Sequence, residues 1–164
     1  MNNDKDYRNV KEQIGYCGLW CGSCAVGNGA ISQLSKQLKQ MVTSYGVKSW
    51  GPKDINYDDL ITGLSILESK IGCKGCRKGG GNETCKIREC AQNKRVTDCF
   101  QCQERTVCEH KEELENMWEG ASKVKMYFKT EDVEKQQLIE KWEDQLKKSE
   151  QGCILFSQNN DTAR

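Results

Sequence analysis

The placement of the cysteines constrains the fold of this chain more than any other feature. The chain has eleven cysteines in 164 residues, and ten of them fall into two runs along the sequence. Three pairs have the spacing Cys-x-x-Cys, in which one tight turn directs both sulfurs at a single metal ion. We therefore expect ten metal-ligating thiolates: Cys17, Cys21, Cys24, Cys73, Cys76, Cys85, Cys90, Cys99, Cys102 and Cys108.

The composition gives an independent reason to expect bound metal. Large aliphatic side chains are scarce, and the mean hydropathy is −0.80. The net charge is only +1, so the chain lacks the strong charge imbalance that is typical of disordered sequences. A small core needs cross-links, and a structural zinc ion contributes on the order of 10 kcal/mol to folding. We expect a folded chain that depends on metal.

The sequence favours metal over disulfides. The N-terminal residues 1–6 are polar and show no apolar segment of the kind found in signal peptides. No stretch approaches the ~20 apolar residues of a membrane span. We therefore expect a cytoplasmic protein without membrane association, and in that reducing compartment thiols bind metal rather than pair. The odd number of cysteines also fits poorly with complete pairing.

Zinc is the metal that the thiolate set favours, with two ions as the expected number and three as the next. An iron–sulfur cluster is the alternative, because it uses the same ligands at overlapping spacings. Cys17-x-x-x-Cys21-x-x-Cys24 also has the spacing of radical SAM enzymes, but residues 25–72 lack the strands of a barrel. His110, the only histidine, is expected as a solvated residue at a helix start rather than as a ligand.

Apolar periodicity predicts several helices. The first spans about residues 29–45, with one apolar stripe made by Ile31, Leu34, Leu38, Met41, Val42 and Tyr45. The second begins at a cap, Asn56 or Asp58, and ends near Gly72. These two helices are expected to form a hairpin that brings the first run of cysteines against the second. Three more helices are predicted: one from Cys85 to Lys94, one of about five turns from Leu114 to Phe128, and one from Thr130 to about Gly152.

Together these patterns predict a mainly α fold with zinc-knuckle loops, a small irregular cysteine-rich metal-binding domain with few or no strands. The metal-binding core is expected at residues 1–110, with the helical hairpin inserted at about 29–71. Residues 111–164 are expected to form a C-terminal helical hairpin that packs on this core. Cys85 and Cys90 are five residues apart, so either Cys85 precedes its helix or the two serve different sites.

Other residues give weaker signals. Residues 70–95 contain eight basic side chains and only two acidic ones. We expect the basic side chains to compensate the negative charge of the thiolates, and contact with nucleic acid is the alternative. The four tryptophans are expected as packing anchors, and Trp20 is the one that could line a site. Cys153 is expected to be a small buried hydrophobe. The eight basic residues are Lys70, Lys74, Arg77, Lys78, Lys86, Arg88, Lys94 and Arg95.

The ordered cysteines resemble an uncharacterised prokaryotic family, domain of unknown function 3795. The resemblance covers roughly residues 14–114 and departs from the family pattern at 103–107. Beyond Leu114 the chain adds its last helices. The resemblance implies a small cysteine-rich metal-binding protein, with zinc as the expected metal, and implies no activity. The matching segments are Tyr16-Cys17-Gly18-Leu19-x-Cys21-x-x-Cys24, Cys73-x-Gly75-Cys76, Cys85-x-Ile87-Arg88-x-Cys90-Ala91, Cys99-x-x-Cys102 and Cys108.

No constellation of residues indicates catalysis. A cysteine nucleophile could use only His110 as its base, and metal-bound thiolates are poor nucleophiles. We therefore expect a structural zinc protein that acts as an interaction or adaptor module for a protein partner or for a second copy. An iron–sulfur redox or electron-transfer protein is the alternative function.

Overall fold

The computed structural model describes the backbone of residues 3–156 and the side chains of residues 6–156. This part of the chain contains helices and no strand, apart from two isolated bridges, Ile14 with Trp20 and Leu19 with Phe128. The mainly α fold expected from the sequence is confirmed, and the barrel of a radical SAM enzyme is absent from the described residues. The helices are α1 (Asn3–Val10), α2 (Ala30–Ser44), α3 (Val47–Trp50), α4 (Tyr57–Lys70), α5 (Lys86–Asn93), α6 (Lys111–Lys123), α7 (Lys135–Lys147) and α8 (Glu150–Phe156).

The hairpin of α2 and α4 matches the prediction closely. Asn56 caps α4, because its side-chain oxygen accepts hydrogen bonds from the backbone N–H groups of Asp58 and Asp59. The Ser32 hydroxyl donates to the carbonyl of Glu68 at 2.7 Å and ties the two helices together. The hairpin returns the chain to the first cysteines, as expected.

The face of α2 that packs inside the protein is polar. Ser32, Gln33 and Ser35 are buried. Most of the apolar stripe instead faces solvent: Leu34 is 50% exposed, Leu38 44%, Met41 59% and Tyr45 72%. The hairpin therefore places a row of large apolar side chains on the surface.

The larger hydrophobic core joins the start of the chain to α7. Aromatic rings from the two regions stack on each other: the ring centroids of Trp20 and Trp142 are 6.0 Å apart. Trp20 is fully buried, and its indole N–H donates to the carbonyl of Lys11. This core fixes the segment that leads into the first cysteines. Its buried residues are Tyr7, Ile14, Trp20, Ile139, Trp142 and Leu146.

The C-terminal helices differ from the predicted ones. α6 ends at Lys123, and Lys125 has a positive φ of 57° that turns the chain. The next residues run beside the first cysteine run, where the N–H of Trp20 donates to the carbonyl of Tyr127. The predicted helix through Phe128 and the predicted helix start at Thr130 are therefore wrong.

The last predicted helix is two helices. The Glu134 carboxylate caps α7 by accepting hydrogen bonds from the N–H groups of Gln136 and Gln137. α7 ends at Lys147, and α8 begins at Glu150 and runs past Gly152, so the predicted end near Gly152 is wrong. Residues 157–164, which hold most of the tail expected to fray, lie outside the described residues. None of the described helices has the length and apolar content needed to cross a membrane.

Candidate metal centre

The fold gathers the ten predicted ligands into two groups, each around its own cavity. The larger cavity has a volume of about 420 Å³ and is lined by all members of the six-cysteine group: Cys17, Cys21, Cys24, Cys73, Cys76 and Cys85. The smaller cavity has a volume of about 20 Å³ and is lined by all members of the four-cysteine group: Cys90, Cys99, Cys102 and Cys108. All eleven cysteines of the chain are free thiols.

Two of the Cys-x-x-Cys segments share one local geometry, and each group contains one of them. In each, the first cysteine opens a 3₁₀ turn, Cys21–Ser23 or Cys99–Gln101. The second cysteine closes the turn by donating its N–H to the carbonyl of the first. The backbone of this second cysteine is extended, with φ/ψ of −81°/116° at Cys24 and −76°/122° at Cys102. The two turns therefore present their thiol pairs in the same way.

The third Cys-x-x-Cys segment is built differently and depends on Gln13. Gly75 has a φ of 86°, and a Cβ atom there would lie 2.3 Å from the side-chain oxygen of Gln13. The Gln13 amide donates to the carbonyl of Lys74 at 3.0 Å, and the backbone carbonyl of Gln13 accepts from the N–H of Cys21 at 2.9 Å. Gln13 thus joins the first and second cysteine runs, a role that no sequence signal indicates.

Arg88 holds the loop over the larger cavity. It is buried, and its guanidinium donates to the carbonyl of Gly80 at 2.8 Å and to that of Asn82. Longer hydrogen bonds reach the carbonyls of Cys76 and Glu83. The glycine-rich loop at residues 79–82 is therefore held in place by one side chain.

The basic side chains that we expected to compensate thiolate charge are partly used for other contacts. Arg77 donates to the carbonyls of Ile14 and Thr97 and stacks on the ring of Tyr16 at 3.9 Å. Arg88 is bound to the loop described above. The charge of Lys94 does act on a thiol, since it opposes the rise that burial produces in the pKa of Cys90.

Burial raises the pKa of several thiols further above neutral pH. It raises the pKa of Cys17 to about 12, that of Cys21 to about 11 and that of Cys99 to about 12. Backbone N–H groups act in the opposite direction: that of Leu19 donates to Cys17, and that of Cys76 donates to Cys21. Hydrogen bonds of this kind stabilise sulfur once it carries negative charge.

α5 connects the two groups. Cys85 lies at its N-cap and belongs to the six-cysteine group, whereas Cys90 lies within the helix and belongs to the four-cysteine group. Both readings of this spacing are therefore correct: Cys85 precedes the helix, and the two cysteines serve different groups. Five residues of helical rise separate the two sites by roughly 7.5 Å along the axis.

The thiols are gathered, but they do not form a coordination shell. Within the described residues, no group of three or more His, Cys, Asp or Glu side chains is arranged to hold a metal ion. The larger cavity nevertheless has a consistent donor set, since the described residues that line it include six thiols and no carboxylate or imidazole. Such donors suit soft metals such as zinc and iron–sulfur clusters and exclude magnesium and calcium as preferred ions.

Other predicted residues occupy different places from those expected. Trp20 lies in the hydrophobic core, and it is Trp118 that lies beside the cysteines, where its indole N–H donates to the carbonyl of Cys17 at 2.8 Å. Trp50 is 67% exposed, so it is not a packing anchor. Cys153 is exposed rather than buried.

His110 also departs from the expected solvated position. It lies at the start of α6, as expected, but its side chain is only 17% exposed and lines the smaller cavity. Its Nδ1 atom lies 3.1 Å from a carboxylate oxygen of Glu113. The sequence also gave no indication of Met117 and Met126, whose side chains line the larger cavity.

The helical fold and the two thiol groups define a small cysteine-rich protein. The profile of the family described as "Protein of unknown function (DUF3795)" matches residues 13–113. This range is more than half of the chain and includes all ten cysteines of the two groups, and the chain belongs to that family. No curated protein and no solved structure matches the chain.

Proposed function

We propose that this protein binds zinc through its cysteine thiolates and uses the metal to fix a scaffold for protein interaction. The four-cysteine group carries this proposal. Its four thiols surround a cavity of about 20 Å³, a space of roughly one small molecule such as water. A single tetrahedral zinc ion with four cysteine ligands needs no more room than this.

The paired turns support the zinc-knuckle part of the proposal. Cys21–Cys24 and Cys99–Cys102 share a 3₁₀ turn that is closed by the N–H of the second cysteine. A turn of this kind holds two sulfurs on one side of the backbone, as a zinc knuckle requires. Metal binding would ionise these thiols and draw them together.

Elemental analysis of the purified chain tests zinc binding. We expect at least one zinc per chain, and we expect Cys102→Ser to lower the zinc content by one ion. Cys153→Ser is the matched control, because Cys153 is exposed and belongs to neither group. A purified chain that holds no zinc, and whose unfolding free energy does not rise when zinc is added, would contradict the proposal.

The exposed apolar stripe of α2 supports the adaptor role. Large apolar side chains in a contiguous row on the surface mark sites of protein interaction. The partner is a second copy of this chain or another protein, and light scattering across a range of concentrations separates the two. Leu38→Glu should abolish whichever association is found, whereas Gln40→Glu, at an exposed position of the same helix, should leave it unchanged.

An iron–sulfur redox protein is the second candidate function. One observation favours it: the solvent-open pocket that the six-cysteine group lines is about twenty times larger than the cavity lined by the four-cysteine group. A colourless protein with zinc in both groups would rule it out. An absorption band near 400 nm that bleaches on reduction would support it.

A further inference from the structure

We propose that the two groups hold different kinds of metal centre: one zinc ion in the four-cysteine group and a [4Fe–4S] cluster in the six-cysteine group. This inference rests on the proposed function, because it requires that the thiolates bind metal. It adds the nature of each centre and the ligands of the larger one.

The size of the cavities separates a single ion from a cluster. Four sulfurs bound to one zinc at ~2.3 Å lie about 3.8 Å from one another, close to van der Waals contact, so such a site encloses almost no space. The four-cysteine group, with about 20 Å³, is near that limit. The six-cysteine group lines part of a pocket of about 420 Å³ that is open to solvent and shared with other residues, so there is room beside its thiols for a compact body of several atoms.

The surroundings of the larger cavity suit a cluster. Apolar side chains of Leu19, Ile87, Met117 and Met126 line it beside the thiols. The backbone N–H of Gly75 donates to the sulfur of Cys73 at 3.4 Å. A low dielectric and N–H donors to sulfur are the two features by which proteins stabilise and tune iron–sulfur clusters.

Three of the six cysteines lie close to one another. Cys17 interacts electrostatically with both Cys21 and Cys76, and Cys21 in turn interacts with Cys76. A Cβ atom at Gly15 would lie 3.5 Å from the sulfurs of both Cys17 and Cys76, so the glycine leaves the space beside them open. We assign these three as cluster ligands.

The fourth ligand comes from the other three cysteines. Cys85 interacts with Cys17, whereas Cys24 and Cys73 interact with Cys21. A pair of zinc ions bridged by thiolates is the alternative, and it would use all six cysteines. The open volume favours the cluster, which carries its own bridging sulfides and needs only four thiolates.

The test is the metal and sulfide content of the full chain purified without oxygen. We expect about four iron, about four acid-labile sulfide and one zinc per chain, with an absorption band near 400 nm. If the purified chain contains less iron, it is incubated with ferrous iron and sulfide, and the same stoichiometry is expected. Three zinc ions without sulfide would overturn this inference and leave the proposed function intact. A folded chain that binds neither metal would overturn both.

Variants test the assignment of ligands. Cys76→Ser should lower iron and sulfide at least tenfold and keep the zinc, and Cys102→Ser should do the reverse. Among Cys24→Ser, Cys73→Ser and Cys85→Ser, two should keep the cluster and one should lose it. Loss of iron in all three, or loss of both metals in Cys102→Ser with its helix content unchanged, would contradict the assignment. If Cys76→Ser does not fold, the stoichiometry of the unmodified chain decides.

Discussion

The six-cysteine group and the four-cysteine group share a turn, but they differ in how much of the chain they join. The four-cysteine group closes within residues 90–108, whereas the six-cysteine group joins residues 17–24 to residues 73–85 across the whole α2–α4 hairpin. Closing a longer loop costs more conformational entropy. Turns alone can therefore position thiols that are close in sequence. Thiols that are far apart in sequence need other residues to hold them together, and in this protein those residues are Gln13 and Arg88.

Removing all metal should have the largest effect. A structural zinc site contributes on the order of 10 kcal/mol, so chelation should strongly lower the unfolding free energy and make residues 73–108 sensitive to protease. Part of the helical circular dichroism signal should remain, because α7 packs on Trp20 and not on the cysteines. Unchanged protease resistance after chelation would show that metal does not stabilise residues 73–108.

The metal-free chain should lose stability in alkali. Unfolded thiols ionise near pH 9, but the folded chain holds the pKa of Cys17 near 12 and that of Cys21 near 11. Above pH 9 the unfolded state therefore binds fewer protons than the folded state, and stability falls as the pH rises. The metal-loaded chain should behave in the opposite way and lose stability in acid, as protons displace the metal.

Urea unfolding of both forms at pH 7, 9 and 10.5 measures this contrast. Burial also raises the pKa of Cys99, to about 12. Comparing Cys99→Ser with Cys17→Ser therefore measures how much alkaline loss of stability each group contributes. Each variant should flatten the alkaline loss, and Cys153→Ser should not. A metal-free chain that is equally stable at all three pH values would contradict the prediction.

Arg88→Met should destabilise the six-cysteine group by about 3 kcal/mol, because it removes charge-assisted hydrogen bonds to several carbonyls of one loop. Those carbonyls belong to Cys76, Gly80, Asn82 and Glu83. Metal content resolved by group should show loss from the six-cysteine group and none from the four-cysteine group. Arg95→Met, at an exposed position, is the control. Equal loss from both groups would show that Arg88 supports the whole fold rather than the loop.

Gly75→Ala and Gly81→Ala form a matched pair. Both glycines have positive φ, 86° and 74°, but a Cβ atom at 75 meets Gln13 at 2.3 Å whereas one at 81 meets nothing within 4 Å. Backbone strain alone should cost about 1 kcal/mol at Gly81, and the added clash should bring Gly75 to about 3 kcal/mol. Equal unfolding free energies for the two variants would show that Gln13 does not brace this turn.

The smallest effect is expected on the surface of α2. Leu38→Glu should change the unfolding free energy by less than about 0.5 kcal/mol, because Leu38 is 44% exposed and outside both cores. Thermal unfolding of the monomer checks this. A loss of more than about 1 kcal/mol would mean that the stripe belongs to the folded core and is not available to a partner.

The sequence predicted the features that depend on local pattern. α2 and α4 follow a strong 3.6-residue period, and Asn56 is a local cap, so their bounds were predicted to within a residue or two. The helix α1 was missed because its residues are polar and show no such period. Val124 and Phe128 fit the period of α6 by spacing alone, but Lys125 turns the chain and Phe128 pairs with Leu19 instead.

The candidate site was predictable only in part for the same reason. Cysteine spacing indicated the ten candidate ligands, and the predicted hairpin brought the two runs together. Spacing could not assign each cysteine to its group. Cys85 lies at the start of α5 and Cys90 lies in its middle, yet the two cysteines belong to different groups. Gln13 and Arg88 act on backbone groups that are distant in sequence, and such contacts leave no pattern in the chain itself.

X-ray absorption at the zinc edge of the purified chain tests the central claim most directly. If the four-cysteine group binds zinc, we expect one zinc with four sulfur neighbours at about 2.3 Å and no second metal within about 4 Å. Nitrogen or oxygen neighbours in place of sulfur, or a second zinc close by, would contradict it.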